Sequence, residues 1–248
     1  MEPDFETSGT PLAWEDPAFE GGLLSKAMAT IRTLLGDPGQ AGQALGGHAR
    51  IGLAIGFYAL FGLPCQWLAA TLVHVVNMAR PDRMAWVFQW FHLPAPPTPT
   101  AQQLAFQKIM GWGQVVAYPL LAALGILIMG GLAHIGLWMV RGLSKGKGIE
   151  VTYRTGLYLA GALSWVWLIN VAGAFLPGGL FWAHQAFSLA LGLGILTFQG
   201  MVLAEAHGVE RWRGILGVFL PGILLCLLCL CCLAVAGLGA AGLAHGRT

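Results

Sequence analysis

Four stretches of the chain, residues 51–79, 109–140, 155–204 and 214–246, contain no Asp, Glu, Lys or Arg. A surface facing water needs charge, whereas a helix crossing the hydrocarbon of a bilayer needs roughly 20 consecutive apolar residues. The 155–204 stretch is long enough for two crossings, and it is interrupted at Leu176-Pro177-Gly178-Gly179, where Pro and Gly mark a turn. The pattern predicts five spans, near residues 51–78, 114–140, 155–176, 180–204 and 214–243. In lipid each backbone polar group must be satisfied within its own segment, so these spans are expected to be helices. The fold class is therefore all-α, a polytopic membrane helix bundle. Charged residues make up only 10% of the chain, against about 25% in soluble proteins, so lipid is the expected solvent for most of it. The 36 glycines suit close helix packing, and Gly52 and Gly56 form a small-xxx-small pair in the first span.

Three regions follow: an acidic tail over 1–22, an amphipathic helix and linker over 23–50, and a membrane domain over 51–248. The tail lacks the positive start and short apolar core of a cleavable signal peptide, so the mature chain is expected to keep it. Residues 23–35 place Leu23, Leu24, Ala27, Met28, Ile31, Leu34 and Leu35 at helical spacing on one face. This suits a helix at the membrane surface, or equally one packed on the membrane domain. Gly36-Asp37-Pro38-Gly39 closes it. The 80–113 connection, with Trp86, Phe88, Trp90 and Phe91 beside four prolines, is expected to lie along the outer surface, where Trp favours the headgroups.

The chain shows little that could carry catalysis. There is no phosphate-binding Gly-rich loop, no nucleophile elbow, no H-E-x-x-H and no nucleic-acid motif. Four histidines fall at two depths: His74 and His184 toward one end of the bundle, His134 and His207 toward the other. Matched depth alone is a weak condition for haem or metal, because further ligands are few, so interfacial or capping roles are expected, with no cofactor. Cys226, Cys229, Cys231 and Cys232 lie too deep for thiolate chemistry and read as small packing residues. The acidic, aromatic Trp14-Glu15-Asp16 is the candidate partner-binding patch.

Three stretches together resemble a known family. They are Pro11-Leu12-Ala13-Trp14-Glu15-Asp16; then a His134 helix leading through Gly146-Lys147-Gly148 to Thr152-Tyr153-Arg154 and Tyr158; then Leu176-Pro177-Gly178-Gly179, followed by Ala206-His207-Gly208 and the segment from Arg211 to Pro221. Their order and the span count resemble the bacterial branch of the Yip family, five-span proteins whose eukaryotic members bind Rab-type small GTPases in vesicle traffic. The resemblance singles out His134, Thr152, Arg154, Pro177, Gly178 and His207. It implies a non-enzymatic adaptor that organises other membrane components in a bacterial inner membrane. Its partners would be the lipid bilayer and other membrane or membrane-associated proteins, a second copy of the chain among them. The alternatives are a channel or small-solute facilitator and, less favoured, a membrane redox protein built on the histidines.

An inside N-terminus leaves Arg80, Arg83, Lys108 and Arg247 outside and the remaining nine of the 13 Lys and Arg residues on the cytoplasmic side. The positive-inside rule then places the N-terminus in the cytoplasm and the C-terminus outside. A reporter active only in the cytoplasm is expected to work when fused to the N-terminus and to fail at the C-terminus. Activity at both ends would overturn five spans.

Overall fold

The charge-free runs are helices in the computed structural model, which describes residues 10–47, 50–79, 94, 100–143, 147–176 and 178–245, with backbone alone at 181, 230 and 232–245. Two short helices, α1 (Leu23–Gly36) and α2 (Pro38–Leu45), precede the long α3 (Ile51–Ala79). Then come α4 (Ala101–Met139), α5 (Ile149–Ala162), α6 (Trp167–Phe175), α7 (Gly178–His207) and α8 (Arg211–His245). No strand occurs among the described residues. Four helices, α3, α4 and the Trp182–His207 and Arg211–Cys229 parts of α7 and α8, are long and apolar enough to cross a membrane. The pair α5 and α6, bent by 46° across the turn Ser164–Val166, passes the same test when taken together, as one broken span or as a re-entrant segment, so the count is four or five. The protein is thus an all-α bundle of membrane-spanning character.

Local chemistry sets where these helices begin and end. Asp37 caps α2, its Oδ1 accepting the Gly39 N–H at 2.9 Å, with Pro38 in the first turn. Thr100 and Gln103 form a reciprocal capping box that starts α4. α7 ends where Gly208 takes φ +69 and the Val209 N–H reaches back to the Ala204 carbonyl at 2.9 Å. A Cβ is disfavoured in that left-handed conformation, which gives Ala206-His207-Gly208 a structural reason. Inside α3, residues Tyr58–Gly62 form a π-helical turn just before Pro64, which has no N–H to donate.

Several expectations need correction. The 80–113 connection is not loop throughout: from Ala101 onward it is helix, so α4 runs 39 residues. At 1.5 Å per residue α4 is about 58 Å long, longer than the roughly 30 Å hydrocarbon core. The aromatic part of the connection, Trp86 to Phe91, lies outside the described residues. The stretch expected as the third span, 155–176, is not one helix but the bent pair α5 and α6. Gly178 begins α7 directly, and the break rests on Leu176, held extended at ψ 144 as a residue before proline must be; Pro177 itself lies outside the described residues. At Gly52 and Gly56 an added Cβ would meet nothing within 4 Å, so among the described residues the small-xxx-small pair brings no second helix close. Cys226, Cys229 and Cys231 are exposed on α8 and not packed.

The spans alternate in direction, so one end of the bundle collects the start of α3, the end of α4, the start of α5, the end of α7 and the start of α8. The buried core sits there: Leu12 from the N-terminal segment, Leu34 from α1, Leu45 from α2, Phe57 from α3, Tyr158 from α5 and Val202 from α7. We call this the cap end. Away from it the spans expose apolar side chains such as Val116, Leu120 and Leu189, the surface that hydrocarbon solvates.

α4 and α8 touch where two glycines meet, and a Cβ on Gly136 would overlap the Gly217 carbonyl. Gly136→Ala is expected to destabilise the bundle by about 1–3 kcal/mol through overpacking, seen as a lower melting temperature in detergent. Gly56→Ala, where the added methyl meets nothing within 4 Å, is expected to hold or raise it through better helix propensity.

Candidate functional site at the cap end

Arg154 projects from the second turn of α5 and is only 2% exposed. A buried guanidinium requires acceptors for its five N–H groups, and this one meets them on two other segments. Its Nε donates to Glu15 Oε1 at 3.0 Å and its Nη2 to Glu15 Oε2, a bidentate pair. Its Nη1 donates to the Leu45 carbonyl at 2.6 Å, and Nη2 also reaches the Ala44 carbonyl at 3.4 Å. These carbonyls belong to the last turn of α2, where no intrahelical donor exists and where a cation suits the helix dipole. One turn further along α5, Tyr158 Oη donates to Glu15 Oε1 at 2.8 Å. Three donors thus satisfy the buried Glu15 carboxylate.

The residues around Glu15 fix its approach. The Glu15 and Asp16 N–H groups both bond the Leu12 carbonyl, closing a tight turn. Trp14 N–H donates to Thr30 Oγ1 of α1 at 2.9 Å, and its indole Nε1 donates to the Leu53 carbonyl of α3 at 3.0 Å. The indole ring stands edge-on to Phe57 and Phe61, at 5.5 and 5.6 Å between centroids, and Phe57 in turn packs on Tyr158. Asp16 Oδ1 accepts the Ala18 N–H at 2.8 Å, and its carbonyl accepts Lys26 Nζ at 2.9 Å. The segment read as a tail is therefore held from α1, α3 and α5 at once. Trp14, Glu15 and Asp16 make their contacts within the chain.

On a neighbouring face of α5, Thr152 joins two histidines. Its Oγ1 lies 3.0 Å from His134 Nδ1 of α4 and 3.0 Å from His207 Nε2 of α7. One hydroxyl has one hydrogen to give, so at least one imidazole donates to it. His207 is fully buried and its Nδ1 has no hydrogen-bond partner among the described residues. Beside it, Lys147 Nζ donates to the Ala206 carbonyl at 2.6 Å, capping the end of α7, and burial pushes the pKa of its ammonium down. The inner histidines are thus linked across three helices, and the capping role expected for His207 is filled by Gly208 and Lys147. The outer histidines have separate neighbours: His74 is edge-on to Trp112 at 5.1 Å, and His184 Nε2 lies 3.1 Å from the Ile169 carbonyl. Among the described residues no three His, Cys, Asp or Glu side chains group as metal ligands.

Of the residues singled out from the sequence, the cap end brings together Trp14, Glu15, His134, Thr152, Arg154 and His207. The pairing of Glu15 with Arg154 was missed, and Arg154 was read as a loop cation outside the spans. Two signals were present: Arg154 and Tyr158 are spaced to share a helix face, and Arg154 directly adjoins a 50-residue run (155–204) without charge.

Arg154→Met is expected to leave a buried carboxylate unpaired and to cost about 3–5 kcal/mol. Adding Glu15→Gln to Arg154→Met is expected to recover part of that loss, because no lone charge then remains. Thermal unfolding in detergent reads both, and limited proteolysis between residues 16 and 22 reads release of the segment. A single variant as stable and protected as the parent would show that the pair does not hold the segment.

No protein-family model, curated protein or solved structure matches this chain, so its functional reading rests on the geometry at the cap end.

Proposed function

We propose that this chain is a non-enzymatic integral membrane protein of the Yip type, a membrane-organising adaptor in a bacterial inner membrane. In this reading the cap and the N-terminus face the cytoplasm and the C-terminus lies outside, as the Lys/Arg asymmetry favours. The observation that carries it is the use made of the buried ion pair. Glu15 and Arg154 spend their hydrogen-bonding capacity on each other, on Tyr158 and on the end of α2. A carboxylate and a guanidinium matched in this way serve to fix a chain segment, whereas acid–base chemistry needs a group within reach of a substrate proton. The result is a preset helical cap at the end of a bundle, a rigid surface suited to docking other proteins.

Trp14 and Glu15 then support the docking surface from beneath, and the polar side of α1 that carries Ser25 and Arg32 forms it together with the outward residues of α2. The meeting of His134, Thr152, Arg154 and His207 at this end supports carrying the family resemblance this far. A facilitator would need a polar path through the bundle, whereas Gln66 Oε1 accepts the Tyr58 hydroxyl at 2.9 Å in a buried pair. Thr71 and Thr197 bond carbonyls of their own helices. No observation favours it over the adaptor.

Crosslinking in the native membrane followed by purification of the full chain tests the proposal. The parent chain is expected to capture a reproducible set of membrane or membrane-associated proteins. Arg154→Met, still inserted but with the cap released, is expected to lose them. Capture of nothing above background by the parent, or equal capture by the variant, would refute it.

A further inference from the structure

The amphipathic helix α1 turns only one edge of its apolar face to the protein. Ala27, Thr30 and Leu34 are buried, while Leu23, Leu24 and Met28 are 59%, 70% and 59% exposed. At about 100° per residue, Leu24, Met28, Ile31 and Leu35 form a stripe about 90° around the helix from the buried face; Ile31 and Leu35 are half-buried against the core, and Leu24 and Met28 are its exposed part. The apolar arc is thus wider than the bundle covers, and its uncovered edge is contiguous with the covered one. Ser25, Arg32 and Gly36 are exposed on the side away from the bundle.

The level of this stripe is set by Trp14, which bonds Thr30 of α1 and also touches Leu53, Phe57 and Phe61 of α3. α1 therefore lies beside the first turns of a membrane-spanning helix, whose Leu53, Ile55 and Leu60 are themselves exposed apolar residues. An exposed apolar stripe held by Trp14 at the level of a lipid-facing helix has the bilayer as its neighbour. We infer that α1 lies in the membrane surface on the cap side, with Leu24 and Met28 at the boundary of headgroups and acyl chains and Arg32 toward the headgroups. Such a helix gains from apolar burial and from anionic lipid together. A free amphipathic tail would have to fold as it bound. Here the Glu15–Arg154 pair and the Trp14 contacts hold α1 at a set depth beforehand. This inference stands independently of the adaptor reading.

The test places the photoreactive residue benzoylphenylalanine at Leu24, at Met28 or at Ser25 in the full chain. Each form is reconstituted into phosphatidylethanolamine and phosphatidylglycerol vesicles and irradiated. Lipid adducts at Leu24 and Met28, with little or none at Ser25, are the expected result. A crosslink to a second copy of the chain in place of lipid, no adduct at either apolar position, or equal adducts at all three would overturn it. Retention of the protease-resistant cap in each form confirms that the positions are compared in the folded protein.

Discussion

Burying Arg154 imposes the constraint on which the cap depends. Moving a guanidinium out of water costs several kcal/mol unless a counter-charge and enough acceptors surround it. No residue of α5 itself supplies these. They come from Glu15, which lies 139 positions earlier, and from the last carbonyls of α2. The arginine can be buried only if the N-terminal segment and α2 are both in place. Trp14 then follows Glu15 into the space between α1 and α3, and Thr30 receives its N–H. One desolvated cation thus couples four pieces of chain that local preferences would leave independent.

The two ends of the bundle differ in how they are held together. At the cap end, buried side chains from five helices and the N-terminal segment interlock, with Thr152 tying α4, α5 and α7 through two histidines. Toward the other end the helices expose most of their apolar surface, and hydrogen bonds such as that of Trp67 Nε1 to the Val115 carbonyl at 2.8 Å join neighbouring pairs. Helices in lipid gain no hydrophobic free energy from meeting one another, so specific order concentrates where polar groups demand partners. The bent α5 and α6 connect the two regimes, with Arg154 and Tyr158 on the ordered side of the bend.

This division shapes the functional reading. A cap fixed by a matched ion pair presents the same helical surface at all times, as an adaptor requires. Its interior polar groups act as structural ties. The histidines that invited a cofactor reading separate into a linked inner pair and two outer residues with their own neighbours.

The sequence by itself determined that the chain builds four or five helices long and apolar enough to cross a membrane, because charge is excluded from hydrocarbon whatever the tertiary arrangement. It also determined several boundaries that depend on local chemistry alone: the Asp37 cap, the extended Leu176 before proline, and Gly208 at the end of α7. The start of α4 was within reach of the same logic, through Thr100 and Gln103, but aromatic and proline content nearby pointed to loop. The face that α1 buries could not be read from its periodicity, since an apolar arc wider than its partner does not say which part is covered. Nor could the role of Trp14-Glu15-Asp16. An acidic, aromatic segment reads as an exposed docking patch until its cation is known, and that cation lies in another helix. Only the tertiary structure brings Glu15 to Arg154, because the desolvation that drives the pairing arises after α2, α3 and α5 have closed around it.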